Sequence, residues 1–115
     1  YGMKSDYGLS SQILAQNCPR DIENLVGQTS IVQLAKEFSA CSLVIGCDSG
    51  AVHLASAVGT PTLTIFGPTN HTVTSPCFNN IKIELVSPLP SHAMRDWSSS
   101  DVFEQFKKLV TLIRK

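Results

Sequence analysis

The feature that most restricts the fold of this chain is a pair of short apolar runs on either side of an Ala-rich segment. Ser42-Leu-Val-Ile-Gly-Cys47 leads into Asp48-Ser-Gly-Ala-Val-His-Leu-Ala-Ser-Ala-Val58, and Gly59-Thr-Pro61 separates that segment from Thr62-Leu-Thr-Ile-Phe66. Continuous β-rich runs of this length suit strands covered on both faces. The segment between them reads as a compact helix over residues 50–58, stopped by Gly59-Thr-Pro61. Strand, helix and strand in succession predict a parallel pair joined by a crossover helix.

The rest of the chain continues the alternation. Residues 7–17 place Leu9, Ile13, Leu14 and Ala15 at helical spacing, with Asp6 as N-cap and Cys18-Pro19 as the exit. Residues 22–26 are a strand candidate closed by Gly27. Thr29-Ser30 opens a second helix, with Ser30 and Gln33 at capping-box spacing and Ile31, Leu34, Ala35 and Phe38 as its apolar face. Residues 81–86 alternate in part, as an edge strand does. Loops occupy residues 67–80 and 87–99. Ser100-Asp101 caps a final helix whose Val102, Phe103, Phe106, Leu109, Val110 and Ile113 recur at helical spacing. The expectation is one α/β domain with a parallel sheet and flanking helices.

In such sheets ligands bind beyond the carboxyl ends of the strands. Two strand ends carry the sequences that matter, Asp48-Ser49-Gly50-Ala51 with His53, and Gly67-Pro68-Thr69. Gly50 has no Cβ to hold a ligand away from the backbone. The first amides of the following helix lack intrahelical partners, and together with the positive helix end they suit a phosphate. His53, one turn in, could add a ring N–H. Each residue also has a plain structural reading. Asp48-Ser49 is a natural N-cap pair, His53 could bond a neighbouring carbonyl, and Gly67-Pro68-Thr69 could be a simple turn. No Gly-x-Ser-x-Gly elbow and no Gly-x-Gly-x-x-Gly fingerprint occurs.

Bulk properties exclude several classes. The 115 residues are one domain's worth, and 43% hydrophobic content is ordinary for a packed core. Nine basic and nine acidic residues cancel, leaving no electrostatic footprint for nucleic acid. No apolar run approaches the roughly 20 residues that span a bilayer. Tyr1-Gly-Met-Lys-Ser-Asp6 does not read as a signal peptide, and its start without Met suggests a piece of a longer chain. Cys18, Cys41, Cys47 and Cys77 have neither Cys-x-x-Cys pairing nor His spacing for zinc. They read as reduced structural thiols, with Cys41 and Cys47 beside an apolar run, as small buried thiols are. There is no carboxylate cluster suited to magnesium, so no metal or cofactor is expected.

Asn24-Leu-Val-Gly-Gln-Thr-Ser30, Asp48-Ser-Gly-Ala-Val-His-Leu-Ala55, Gly59-Thr-Pro61 and Phe66-Gly-Pro-Thr69, in that order and spacing, resemble the successive signatures of glycosyltransferase family 9, the ADP-heptose:lipopolysaccharide heptosyltransferases and their relatives. The resemblance runs from about Gly2 to Thr69 and continues more loosely to the final helix. It implies a GT-B architecture of two Rossmann-like domains facing a cleft. Residues 1–115 would be the C-terminal, donor-binding half, truncated at its start, and the N-terminal acceptor domain would lie outside them.

On these residues the resemblance implies that Asp48, Ser49, Gly50, Ala51 and His53 bind the donor diphosphate, or that Asp48 reaches the sugar hydroxyls instead. Thr29 would lie by the adenine, Asp6 by the ribose hydroxyls, and the Gly67-Pro68-Thr69 loop near the site. The reaction would invert the anomeric centre of a nucleotide sugar of the ADP-heptose type, with ADP leaving. The acceptor would be the lipopolysaccharide core of a bacterium, reached through the N-terminal domain, which also supplies the catalytic base. The setting would be cytoplasmic, with peripheral association at the inner membrane. Two departures stand out. The first strand–helix–strand of the domain and a phosphate-contacting lysine are missing, so the segment around Leu25 would lose a sheet neighbour and an edge would be open to self-association. By itself the fragment is expected to be inactive. Two alternatives remain: a same-fold transferase for another nucleotide sugar, and a non-catalytic interaction module.

Overall fold

The computed structural model describes residues 1–16, 21–67, 73, 75–78, 81–86 and 96–115. The chain forms two compact units, Tyr1–Leu34 and Ala35–Lys115.

The second unit is built on a three-stranded parallel sheet. Strands β1 (Val44–Cys47), β2 (Thr62–Ile65) and β3 (Lys82–Leu85) lie in the order β1-β2-β3. Val44 pairs with Thr62 and Thr62 with Lys82, and the register continues without slip to Cys47, Ile65 and Leu85. Side chains alternate between faces. Leu63 and Leu85 therefore share a face with Ile65 and Ile83, and the final helix seals it. Buried Leu63, Leu85 and Leu109 form the core, flanked by Leu43, Ile65, Ile83, Trp97, Val102, Phe106 and Ile113. On the opposite face Val44, Thr62 and Lys82 form one row, and Gly46, Thr64 and Glu84 the next.

The crossover helix α3 (Gly50–Ala57) packs on β1 and β2. A Cβ at Gly46 would stand 2.9 Å from Cγ2 of buried Val52, so a strand glycine sets how closely α3 approaches. The helix ends in a Schellman motif. Gly59 takes φ +86°, its N–H donates to Ser56 O at 3.0 Å, and Thr60 N–H donates to Ala55 O at 3.0 Å. Thr60 Oγ1 then donates to the Phe38 carbonyl at 2.6 Å, in a buried site at the end of α2 (Ile31–Ala40). Val44 N–H donates to Pro61 O at 2.9 Å, which starts the β1–β2 ladder. The helix stop and strand start read from Gly59-Thr-Pro61 are both present.

The final helix α4 (Ser99–Arg114) begins two residues earlier than its sequence suggests. Its cap is Ser98: Asp101 N–H donates to Ser98 Oγ at 3.1 Å, and Ser98 N–H to Asp101 Oδ2 at 3.0 Å. Ser98 is favoured because it brings a carboxylate to the third helical position, which Ser100 would not. The carboxyl of Asp101 titrates below its ordinary value because of these bonds from Ser98. The strand over residues 42–47 departs from full coverage. β1 lies at a sheet edge and α4 packs on β2 and β3, so Ile45 is 45% exposed. Cys47 is exposed and Cys41 half-buried, both as free thiols, contrary to the buried placement expected of them. Cys77 is also free and exposed, and Cys18 lies outside the described residues. Among the described strands β3 lies at an edge of the sheet, as its pattern suggests.

The first unit holds a 3₁₀ turn (Lys4–Asp6) followed directly by α1 (Tyr7–Ala15). Asp6 does not cap α1 through its side chain. It is itself in helical conformation, and its Oδ2 accepts from Met3 N–H at 2.9 Å, closing the 3₁₀ turn instead. Residues 22–26 form no strand. Asn24 redirects the local backbone: its Oδ1 accepts from Val26 N–H at 3.1 Å, and its Nδ2 donates to Ser10 Oγ at 3.1 Å. Gly27 N–H donates to Gly2 O at 2.9 Å, and Gln28 N–H to Leu25 O at 3.1 Å. Without a neighbouring strand, side-chain and turn partners take the backbone groups a ladder would use. Gly27, at φ +70°, has Lys4 Cγ only 2.7 Å from where a Cβ would sit. The Ser30–Gln33 capping box forms as read, with Gln33 N–H to Ser30 Oγ at 3.2 Å and Ser30 N–H to Gln33 Oε1 at 2.8 Å. Of the apolar face read along α2, Phe38 is buried while Ile31 is exposed.

Candidate functional site

The candidate site lies where β1 ends and α3 begins. Asp48 N–H donates to Ile65 O at 3.2 Å, so the ladder carries one residue beyond β1 before the chain turns. Ser49 follows in extended conformation as the N-cap of α3, yet its hydroxyl makes no capping bond. Its carbonyl accepts from Val52 N–H at 3.2 Å and from His53 N–H at 3.4 Å. The amides of Gly50 and Ala51 precede these first intrahelical bonds and lie at the positive end of the helix dipole. Gly50 is exposed, and a Cβ placed on it would meet nothing within 4 Å. Among the described residues nothing stands over a Cβ at Gly50.

His53 is brought back to this turn. Its Nε2 lies 3.6 Å from Asp48 Oδ1, with the imidazole 37% exposed and the carboxylate only 9%. The separation is an ion-pair distance rather than a direct hydrogen bond. Four residues lie between the partners, and the turn explains why they meet. With Ser49 as N-cap, Asp48 and His53 occupy the positions flanking the cap that a hydrophobic staple uses, one before the cap and one at the fourth helical residue. Spacing alone could have revealed the pair, but the sequence reading placed both residues on a common ligand and did not couple them.

The remaining candidates divide between the units. Asp48, Ser49, Gly50, Ala51 and His53 gather at one strand–helix turn of the second unit. Gly67 is buried just beyond β2, the strand beside β1, while Pro68 and Thr69 lie outside the described residues. Asp6 and Thr29 belong to the first unit. The Asp6 carboxylate holds Met3, and Thr29 immediately precedes the Ser30 cap. Among the described residues no group of three or more His, Cys, Asp or Glu side chains could hold a metal. None of their helices is long and apolar enough to cross a membrane.

A parallel sheet with flanking helices, opening at a strand's carboxyl end onto a helix N-terminus, is a Rossmann-like α/β arrangement. Solved structures share the fold. The chain superposes on Escherichia coli ADP-heptose lipopolysaccharide heptosyltransferase II with a TM-score of 0.82 at 21% identity, covering 99% of this chain and 36% of that one. A glycosyltransferase family 9 protein from Veillonella parvula gives a TM-score of 0.79 at 20% identity, covering 96% and 35%. The profile of glycosyltransferase family 9 (heptosyltransferase) matches residues 5–103, and the chain belongs to that family. Lipooligosaccharide heptosyltransferase 2 of Campylobacter jejuni is 35% identical over 103 residues, 78% of this chain and 33% of that protein. Lipopolysaccharide heptosyltransferase 3 of Escherichia coli is 34% identical over 79 residues, 68% and 23%. The chain thus spans about a third, or less, of the length of the curated relatives it matches.

Proposed function

We propose that this chain carries the nucleotide-sugar donor site of a glycosyltransferase of lipopolysaccharide core assembly, with a donor of the ADP-heptose type. The observation that carries the reading is the start of α3, where the Ser49 hydroxyl makes no cap and a Cβ on Gly50 would meet no atom of the described residues within 4 Å. The donor diphosphate rests there on the amides of Ser49, Gly50 and Ala51, with His53 beside it. The sequence resemblance assigns Asp6 and Thr29 to the nucleoside and the Gly67-Pro68-Thr69 segment to the vicinity of the site.

The chemistry follows from that placement. Breaking the anomeric bond adds one more negative charge to the diphosphate of the departing ADP, which already carries two. Fixed N–H dipoles at a helix N-terminus stabilise that charge without reorganising. Transfer inverts the anomeric centre, with the base and the acceptor groove on a separate N-terminal domain. Residues 1–115 therefore bind donor without turning it over. No metal is needed, because main-chain amides take the part a divalent cation would play. The setting is the cytoplasmic face of the inner membrane, where the core is built.

Titration with ADP, UDP, GDP and NAD, followed at the amide resonances of Ser49, Gly50 and Ala51, tests the reading. The expected result is saturable shifts at these amides with ADP preferred. Preference for UDP would move the assignment to another donor. Silence with all four would leave a non-catalytic module.

A further inference from the structure

The outer face of α4 carries an arrangement that core packing does not explain. The helix turns its other face to the sheet, where Leu109 is buried with Leu63 and Leu85, and Val102, Phe106 and Ile113 pack against them. Outside lie Lys107, Lys108, Arg114 and Lys115, four of the nine basic residues of the chain, and no acidic residue follows Glu104. All four are exposed. Lys107 is satisfied within the helix, since its ammonium pairs with Glu104 at 2.5 Å and lies 5.4 Å from the centre of the Phe103 ring. Lys108, Arg114 and Lys115 make no ion pair among the described residues. Two large apolar side chains stand among these cations, Phe103 at 57% exposure and Leu112 at 46%. Residues three and four apart are neighbours on a helix surface, so Leu112 lies between Lys108 and Lys115.

The helix dipole accounts for only part of this. Cations in the last turn stabilise a helix C-terminus, and the effect fades beyond that turn. Arg114 and Lys115 are covered by that argument. It leaves Lys108, further back, and it gives no reason for an exposed Leu112. Unpaired cations and an apolar side chain on one face are satisfied together at a lipid surface, where headgroup anions meet the charge and the acyl boundary takes the apolar group. A nucleic-acid backbone would match the charge but leave Leu112 in water. We propose that the outer face of α4 is a docking surface for an anionic phospholipid bilayer, with Lys108, Arg114 and Lys115 on the headgroups and Leu112 at the acyl boundary. The choice of occupant rests on this charge complementarity and on the inner-membrane setting proposed above; the donor site plays no part in it.

Co-sedimentation of the intact chain with lipid vesicles tests the inference. Vesicles of phosphatidylcholine alone are compared with vesicles that also contain phosphatidylglycerol. Salt is raised from about 0.1 M to about 1 M, which shortens the screening length from about 10 Å to about 3 Å. The expected result is binding to the anionic vesicles only, lost at the higher salt. A basic residue near such a surface contributes about fivefold to partition. Lys108→Gln, Arg114→Gln and Lys115→Gln should therefore each weaken binding by about that factor, and Leu112→Ser should weaken it as well. Lys36→Gln, which removes an exposed cation from α2, should leave it unchanged, with circular dichroism confirming that every variant is folded. Equal binding to both kinds of vesicle, or to neither, would overturn the inference and leave the donor site standing, because that site is read separately at the amides of residues 49–51. So would an equal loss in Lys36→Gln, which would reduce the effect to net charge, and so would tighter retention on duplex DNA than on the vesicles. An oligomer that forms without lipid and is dispersed by Leu112→Ser would assign the face to a second copy of the chain and overturn the inference too.

Discussion

Replacing Gly50 by Ala should raise stability and weaken donor binding at once, and few substitutions separate the two so cleanly. A methyl group there meets no atom of the described residues within 4 Å, and the residue does not take the positive φ that strains an L side chain. Alanine is a better helix residue than glycine by up to about 1 kcal/mol in a helix interior. Gly50 is the first residue of α3, so roughly half of that is expected, about 2–4 °C in Tm for a chain of this size. In the proposed donor site the same methyl would fill space the diphosphate needs to reach the amides of residues 49–51. Losing one charge-assisted hydrogen bond of about 1.5–3 kcal/mol weakens binding roughly 10- to 150-fold. Thermal denaturation and calorimetric titration with an ADP-sugar on the same preparation read both quantities. A lower Tm would show that the fold requires the glycine. An unchanged Kd would show that the ligand does not lie over Gly50.

Gly59 offers the opposite case, since its surroundings are equally open but φ is +86°; Gly59→Ala should cost about 1–2 kcal/mol from backbone strain alone, seen as a lowered Tm with donor affinity unaltered. The hydroxyl of Thr64 is buried with no hydrogen-bond partner among the described residues, so Thr64→Val should stabilise by about 1 kcal/mol in chemical denaturation. The depressed carboxyl of Asp101 gives the α4 cap a pH dependence. Its contribution is fully present above the ordinary value of 3.8 and disappears as pH falls through the lower folded-state value. Helicity followed by circular dichroism should therefore fall on acidification through that window, and Asp101→Asn should lack this component.

Much of the fold could be read from local pattern. The runs at 42–47 and 62–66, the helix between them and its stop at Gly59 all depend on residues a few positions apart, and local sterics and hydrogen bonding act at that range. The Ser30–Gln33 box is legible for the same reason. Residues 22–26 show the limit. Their composition suits a strand, but a strand exists only through its partner, and Asn24, Ser10 and Gly2 supply other partners for that backbone. Ile45 teaches the same lesson, because an apolar strand residue is covered only where a helix reaches it.

The amino-acid order of this chain determined which residues stand at the end of β1 and that a helix begins there, since both follow from short-range preference. Tertiary packing decided how far that turn is open and which groups share it. The approach of α3 to Gly46 and the ladder bond from Asp48 to Ile65 orient the turn. Those contacts join residues on different elements, and no single segment contains the distances between them.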